Sequence, residues 1–315
     1  MAFAHKDLLD LESLSAEEIL LYLDTAERFR QVSEREVKKV PTLRGFTVVN
    51  LFFENSTRTR ISFELAEKRL SADVINFSAS GSSVSKGETL KDTVDNILAM
   101  RADLVVMRHG SSGAARYLAD RIQAGVINAG DGMHEHPTQG LLDMLTMRQK
   151  MGSLQGKKVV VVGDILHSRV ARSNVWGLTK MGARVTVCGP PPLMPVEMEG
   201  LGCEVEYDLQ KAVVDADAIN VLRIQLERQT VQNFPGNREY SRRYRVDDKL
   251  LASTKPSCFV LHPGPMDRDV EITSEVADGP RQVILEQVTN GVAVRMAIIY
   301  LLSGGAPENL GESLN

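Results

Sequence analysis

The sequence predicts an α/β protein of two domains, each a mainly parallel sheet flanked by helices, with its functional site in the interdomain cleft. Three observations carry this expectation. Short apolar, β-branched runs alternate with helical patterns over almost all of the 315 residues, as expected for parallel strands joined by crossover helices. The alternation forms two series separated by Met151, Gly152 and Ser153, a break suited to a junction. Arginines recur directly after the strand-like runs, at the carboxyl ends where open parallel sheets bind ligands.

In chain order, Ser15, Ala16, Glu17 and Glu18 read as a capping box opening an amphipathic helix, with Ile19, Leu20, Leu23 and Ala26 inward. Residues 46–53 (FTVVNLFF) have the composition of a buried strand. Ile61 and Leu65, with Phe63, Ala66 and Leu70, then recur at helical spacing. Strands are expected at 74–77, 103–107 and 126–128, separated by helical patterns around 90–100 and 114–122. A helix over about 138–150 closes the first domain, residues 1–150. The second domain, 151–283, opens with Lys158–Val162 (KVVVV) and continues with strands at Arg184–Cys188, 218–222 and 258–261. Pro190, Pro191, Pro192 and Pro195 mark a turn. Residues 227–248 are charged and weakly periodic, and read as a long mobile excursion, either a lid or a surface insertion. Leu285, Val288, Val292 and Met296 predict a long C-terminal helix, about 284–304, packing back on the first domain.

Composition bounds the functions available. Apolar residues make up 43% of the chain and charged residues 25%, a globular composition and not a disordered one. The net charge of −4 gives no general attraction to nucleic acid, so local arginine clusters point to small anionic ligands. Cys188, Cys203 and Cys258 are too few and too scattered for a disulfide framework or a zinc site, which fits a reducing cytoplasm. The N-terminus lacks a charged segment followed by an apolar core, so no signal peptide is expected. The apolar stretch at 297–302 is too short to span a bilayer.

Residues 54–64 read ENSTRTRISFE. Ser56, Thr57, Arg58, Thr59 and Arg60 lie between a buried strand and a helix start. Backbone N–H groups, hydroxyls, guanidinium groups and the positive helix end therefore converge on one point. Ser and Thr are ordinary caps, and an Arg in a first turn is often a solvated charge. Five consecutive donors after a buried strand make an anion site, most naturally one for phosphate, the stronger reading. The GxxxxGK[ST] pattern is absent, which argues against a nucleotide P-loop.

Polar residues follow the other strands too: Arg108 and His109; His134, His136 and Gln139; Arg169; Arg223 and Gln225; and His262, Gly264 and Pro265. Arg58, Arg108, Arg169 and Arg223 thus all stand at strand ends. Like charges cannot share a core without counter-ions, so they face protein acids, water or a ligand. A phosphate on one side and a dicarboxylate on the other would satisfy them. His134 and His136 beside Asp131 and Glu135 lack HExxH spacing and a further clustered ligand set, so no metal is assigned. His136 is suited either to donating to a reacting carbonyl oxygen or to a structural place at a helix start. Gly163 and Asp164 are not followed by GxGxxG, and bulky Ile165, Leu166 and His167 stand there instead. No NAD or other cofactor is expected.

The segments FFENSTRTRISFE, SKGETLKDT, MRH, INAGDGMHEHPTQGLLD, VVGDILHSRVARS, LRIQLER and HPGPMDRDVEI occur in that order over nearly the whole chain. In them the sequence resembles the aspartate carbamoyltransferase catalytic chains of the aspartate/ornithine carbamoyltransferase family. The resemblance implies transfer of the carbamoyl group of carbamoyl phosphate to L-aspartate, giving phosphate and N-carbamoyl-L-aspartate, an early step of de novo pyrimidine synthesis. It implies that Ser56, Thr57, Arg58, Thr59, Arg108 and Gln139 hold the phosphate, and that Thr59, Arg108 and His136 polarise the carbamoyl oxygen. Arg169, Arg223, Gln225 and Lys86 would meet the aspartate carboxylates. Backbone carbonyls of Gly264 and Pro265, joined by a cis peptide, would hold the carbamoyl NH₂ and the incoming amine.

The resemblance further implies a homotrimer in which Ser82 and Lys86 enter the neighbouring subunit's site, with Ser83 or Ser85 as alternatives to Ser82. On its own, a lone Lys in SGSSVSKGE reads as a surface charge. Some members carry a bulkier residue where Gly264 stands, and residues 227–244, a variable closing loop in the family, receive no role. A regulatory chain or a dihydroorotase-like enzyme is a partner the resemblance admits, the segment ILHSRVARS pointing to the latter. Ornithine carbamoyltransferases share STRTR and HPTQ but carry a Cys in HCLP and an SMG motif. Here HPGP and LRIQ stand instead, and Arg223 suits a carboxylate. The remaining alternative is a non-catalytic homologue that only binds anions, against which every proposed reacting group is retained.

Overall fold

A computed structural model describes residues 5–78, 90–99, 101–225, 228, 236–306 and 310. The chain divides into two compact units, Met1–Leu142 with Thr289–Asn315, and Asp143–Val288. The division falls inside a helix, at 142/143, and not at the glycine turn that follows it, because that helix runs unbroken from Pro137 to Met151.

In the first unit, Ser15 caps α1 (Ala16–Ser33). Its hydroxyl accepts the Glu18 N–H at 3.2 Å, while the Glu18 carboxylate accepts the Ser15 N–H at 2.8 Å, a reciprocal capping box. Ile19, Leu23 and Ala26 are buried, whereas Leu20 turns outward. Next come β1 (Thr47–Phe52), α2 (Thr57–Arg69), β2 (Asp73–Ser78), α3 (Leu90–Leu98), β3 (Leu104–His109), α4 (Ala114–Ala119), β4 (Gly125–Asp131) and α5 (Pro137–Met151). The strands form one parallel sheet in the order β2-β1-β3-β4. Residues 48–52 of β1 are all buried, as a central strand covered on both faces requires. Val49, Leu51, Val105, Met107, Leu118 and Val126 share one hydrophobic cluster.

The second unit holds β5 (Lys158–Val162), α6 (Arg169–Lys180), β6 (Arg184–Cys188), β7 (Glu204–Glu206), α7 (Leu209–Ala212), β8 (Ala218–Val221), α8 (Asn237–Tyr244), α9 (Asp248–Leu251), β9 (Phe259–Leu261) and α10 (Ser274–Asp278). Its parallel sheet has the order β7-β6-β5-β8-β9. Within the expected excursion at 227–248, Asn237–Tyr244 form helix α8. In α8, Tyr240 and Tyr244 stand one turn apart and both are buried, with ring centroids 5.6 Å apart. Two aromatic anchors at i and i+4 hold a helix whose other positions are all polar or charged.

Helix α11 (Ile284–Leu302) starts in the second unit and lies mainly in the first. By length and composition alone it could cross a membrane, and it is longer than the run at 297–302 suggests; yet 78% of it is buried inside the protein. Within the first unit its Arg295 lies 5.0 Å above the Phe63 ring and donates to Ser62 Oγ at 2.9 Å. It is a core helix with a paired cation.

Candidate active site

In the first unit the strand order reverses between β1 and β3, so a crevice opens at their carboxyl ends, where such sheets bind ligands. Ser56 precedes α2 in an extended conformation (φ −157°, ψ 99°), and its side chain makes no capping bond. The first-turn N–H groups of α2 therefore stay available to an external acceptor. Arg58 is exposed and Thr59 is buried. Across the crevice, Arg108 pairs in register with Phe52, and its carbonyl accepts the Phe53 N–H at 2.9 Å. The Arg108 guanidinium has Nε 3.3 Å from Glu54 Oε2 and donates to the Ala129 carbonyl at 3.1 Å. It is thereby fixed between the β1 loop and β4, with Glu54 as a counter-ion.

His136 and Gln139 follow β4, the next strand, and both are buried. The Gln139 N–H donates to the His136 carbonyl at 2.9 Å, and His136 Nδ1 lies 3.4 Å from Thr138 Oγ1. The Ser56–Thr59 segment, Arg108 and the pair His136 and Gln139 thus stand at or just after the ends of three adjacent strands, β1, β3 and β4.

Asp131 ends β4 and meets His134. Burial pushes the Asp131 carboxyl up, but hydrogen bonds from His134 and Asn128 hold it below its ordinary value; the same Asp131 bond raises His134. Glu12, His134 and Glu135 bring potential metal-ligating atoms within 4.8 Å of one another. In this structure the Glu135 oxygens accept the Leu11 and Glu12 N–H groups at 2.9 and 3.2 Å, which ties the N-terminal segment to β4.

The second unit repeats the logic, its strand order reversing between β5 and β8. Gly163 follows β5 with φ +141°, and a Cβ there would meet the Leu222 carbonyl at 2.5 Å, so glycine lets the two strand ends close up. The buried Asp164 carboxylate then staples the two loops. Its Oδ1 accepts the His167 N–H at 3.1 Å and lies 2.8 Å from His167 Nδ1, while its Oδ2 accepts the Gln225 N–H at 3.0 Å. The Gln225 side chain donates to the Arg223 carbonyl at 3.2 Å, and Arg228 donates to the His167 carbonyl at 3.0 Å. Ser168 caps α6, whose first residue is Arg169, 2% exposed. From β9, the strand beside β8, run His262, Pro263, Gly264 and Pro265, and the peptide between the last two is cis.

Arg169, Arg223 with Gln225, and Gly264 with Pro265 thus follow three adjacent strands, β5, β8 and β9. Asp164 and His167 received no role from the sequence, although a carboxylate directly after a strand-ending glycine was the available signal. Ser82, Ser83, Ser85 and Lys86 lie outside the described residues.

Residues 6–149 match the aspartate/ornithine carbamoyltransferase carbamoyl-P binding domain, and residues 155–302 match the Asp/Orn binding domain of the same family. The chain belongs to the aspartate/ornithine carbamoyltransferase family. Among this family's members, the aspartate carbamoyltransferase catalytic subunit of Gemmatimonas aurantiaca is 62% identical over 303 residues, 96% of this chain and 95% of the relative. That of Geobacter sulfurreducens is 58% identical over 97% of this chain and 98% of its own. Solved structures agree. Aspartate transcarbamoylase from Trypanosoma cruzi in complex with carbamoyl phosphate and aspartate aligns with TM-score 0.86 and 29% identity, covering 96% of this chain and 98% of that one. Ornithine carbamoyltransferase from Pyrococcus furiosus aligns with TM-score 0.87 and 32% identity, covering 97% and 99%. Carbamoyltransferase structures therefore share the two-sheet, two-domain architecture, and the family's two domains coincide with the two sheets described above.

Proposed function

We propose that the protein is an aspartate carbamoyltransferase catalytic subunit, which transfers the carbamoyl group of carbamoyl phosphate to L-aspartate in cytoplasmic de novo pyrimidine synthesis. The observation that carries this reading is the identity of about 60% over nearly full length to relatives of that name. In this reading, Ser56, Thr57, Arg58, Thr59, Arg108 and Gln139 hold the phosphate. Thr59, Arg108 and His136 donate to the carbamoyl oxygen as negative charge develops on it, the interaction that contributes most to such reactions. Arg169, Arg223 and Gln225, with Lys86, take the aspartate carboxylates, and the Gly264 and Pro265 carbonyls accept from the carbamoyl NH₂ and the amine.

The amine lone pair forms the new C–N bond, giving a tetrahedral intermediate. The C–O bond to phosphate then breaks, and the departing phosphate takes both the electron pair and the amine proton. Holding two small reactants in line supplies much of the remaining acceleration.

The catalytic unit is read as a homotrimer with Ser82 and Lys86 contributed by a neighbour, and a dihydroorotase-like enzyme or a regulatory chain as its further partner. Mixed Arg58→Ala and Lys86→Ala trimers, dissociated and reassociated together, should regain activity; none regained would make each site self-contained. A product assay decides the substrate: carbamoylation of aspartate and not ornithine is expected, and the reverse would overturn the assignment.

A further inference from the structure

The loop after β9 carries the carbonyls assigned above to the carbamoyl NH₂ and the amine, and the side chains that hold it are buried. His262 and Glu271 are 2% and 0% exposed. His262 Nδ1 accepts the Gly264 N–H at 2.8 Å, so that nitrogen presents its lone pair and the ring proton resides on Nε2. Nε2 lies 3.1 Å from Glu271 Oε1, which receives its hydrogen bond, and the same oxygen accepts the Asp267 N–H at 2.6 Å. One imidazole and one carboxylate therefore tie the chain on both sides of the Gly264–Pro265 peptide. The His262 backbone is anchored as well. Its N–H donates to Gln287 Oε1 at 2.9 Å, Gln287 donates to Asp143 Oδ1 at 2.7 Å, and Asp143 Oδ2 accepts from Asn174 and Asn220 at 2.9 and 3.2 Å.

We propose that His262 and Glu271 are positioning residues for carbamoyl transfer: through a single imidazole tautomer the pair fixes the Gly264 and Pro265 carbonyls against the carbamoyl NH₂ and the incoming amine nitrogen. The inference rests on the proposed role of those carbonyls. A buried pair that served only the fold would change melting and leave turnover per folded molecule intact. A pair that places reacting groups changes kcat, because displacement by about 1 Å costs on the order of 10²-fold.

The test uses substitutions that separate the two bonds of the ring, with kcat and both KM values measured per folded molecule, well below each variant's Tm. His262→Asn keeps an acceptor near the Nδ1 position, whereas His262→Gln loses it and keeps a donor toward Glu271. Glu271→Gln keeps the Oε1 acceptor, and Glu271→Ala removes it. His262→Gln and Glu271→Ala are expected to lose kcat on the order of 10- to 100-fold, with the aspartate KM within about threefold of the parent. His262→Asn and Glu271→Gln should retain clearly more activity than their partners. If the alanine variant does not fold, the order of the two His262 variants decides: Gln at least as active as Asn overturns the inference. So does retention of kcat within about twofold in the folded disruptive variants.

Gly264→Val separates this inference from the reading beneath it. Gly264 has φ +64°, a conformation a β-branched residue rarely adopts, so the substitution displaces the carbonyls while leaving His262 and Glu271 in place. An unchanged kcat in Gly264→Val removes the carbonyls' role and, with it, the positioning role. A loss there, alongside intact His262→Gln and Glu271→Ala, removes the positioning role alone.

Discussion

Replacing Glu67 by Gln should stabilise the protein increasingly as pH rises. Glu67 lies on the inner face of α2 and is 0% exposed. Its Oε2 accepts from Asn50 Nδ2 at 2.8 Å, which also reaches Asn76 Oδ1 at 3.1 Å, while Oε1 has no hydrogen-bond partner among the described residues. Burial pushes the carboxyl from 4.5 up to about 8; the Asn50 bond and Lys68 oppose this, and Glu64 adds to it. Between those two values the folded chain holds a proton that the unfolded chain has released. Stability therefore falls as pH rises from about 4.5 through about 8 and levels off above, where both states are ionised.

At 1.36 kcal/mol per pH unit, the stretch from pH 6 to the folded-state value of about 8 amounts to roughly 2–3 kcal/mol. Gln keeps an acceptor for Asn50 and does not titrate. Urea unfolding of parent and variant at pH 6 and pH 9 should show the variant's advantage growing by about 2–3 kcal/mol between the two conditions. An advantage equal at both, to within about 0.5 kcal/mol, would refute the assignment of the titrating group.

Three further outcomes follow from the two strand-end clusters. Arg108→Ala should lower kcat by about 10²- to 10³-fold, the usual cost of removing a donor to a developing oxyanion; turnover near the parent value would remove Arg108 from the site. Asp164→Asn weakens the staple on the Gln225 N–H. It should raise the aspartate KM about tenfold, leaving the carbamoyl phosphate KM within about twofold; equal effects on both substrates would mean that Asp164 serves the whole fold. Inorganic phosphate should compete with carbamoyl phosphate, and a dicarboxylate lacking the amine should compete with aspartate. Exchanged patterns of inhibition would reverse the assignment of the two units.

What could be read in advance depended on whether the cause was local. β1 and β5 are central strands buried on both faces, so FTVVNLFF and KVVVV declare themselves. β7 is an edge strand of three residues, Glu204–Glu206, with two exposable carboxylates, and nothing in EVE demands a sheet. α8 was hidden because six of its eight positions are not buried and only Tyr240 and Tyr244 reach the core. The arginines were legible for the converse reason: a cation directly after a buried strand needs an explanation wherever it occurs. The relation of Asp164 to Gln225, and of His262 to Glu271, is created by tertiary packing across 61 and 9 residues. No periodicity in the chain marks either pair.

The two clusters differ in the groups they offer, and on the proposed assignment the difference matches the two halves of the reaction. The first unit presents hydroxyls, guanidinium groups, helix N–H groups and an imidazole, all able to stabilise charge that becomes more negative on the carbamoyl oxygen and the departing phosphate. The second unit places arginines for the carboxylates but faces the nitrogens with backbone carbonyls, which are neutral. A carboxylate there would favour the ammonium form of the attacking amine and remove its lone pair. A carbonyl accepts an N–H bond with far less preference for the cation. Glu271 Oε1, behind this loop, accepts from the His262 ring and from the Asp267 N–H. On the proposed assignment those two bonds hold the carbonyls that orient the amine, and no carboxylate need face the amine itself.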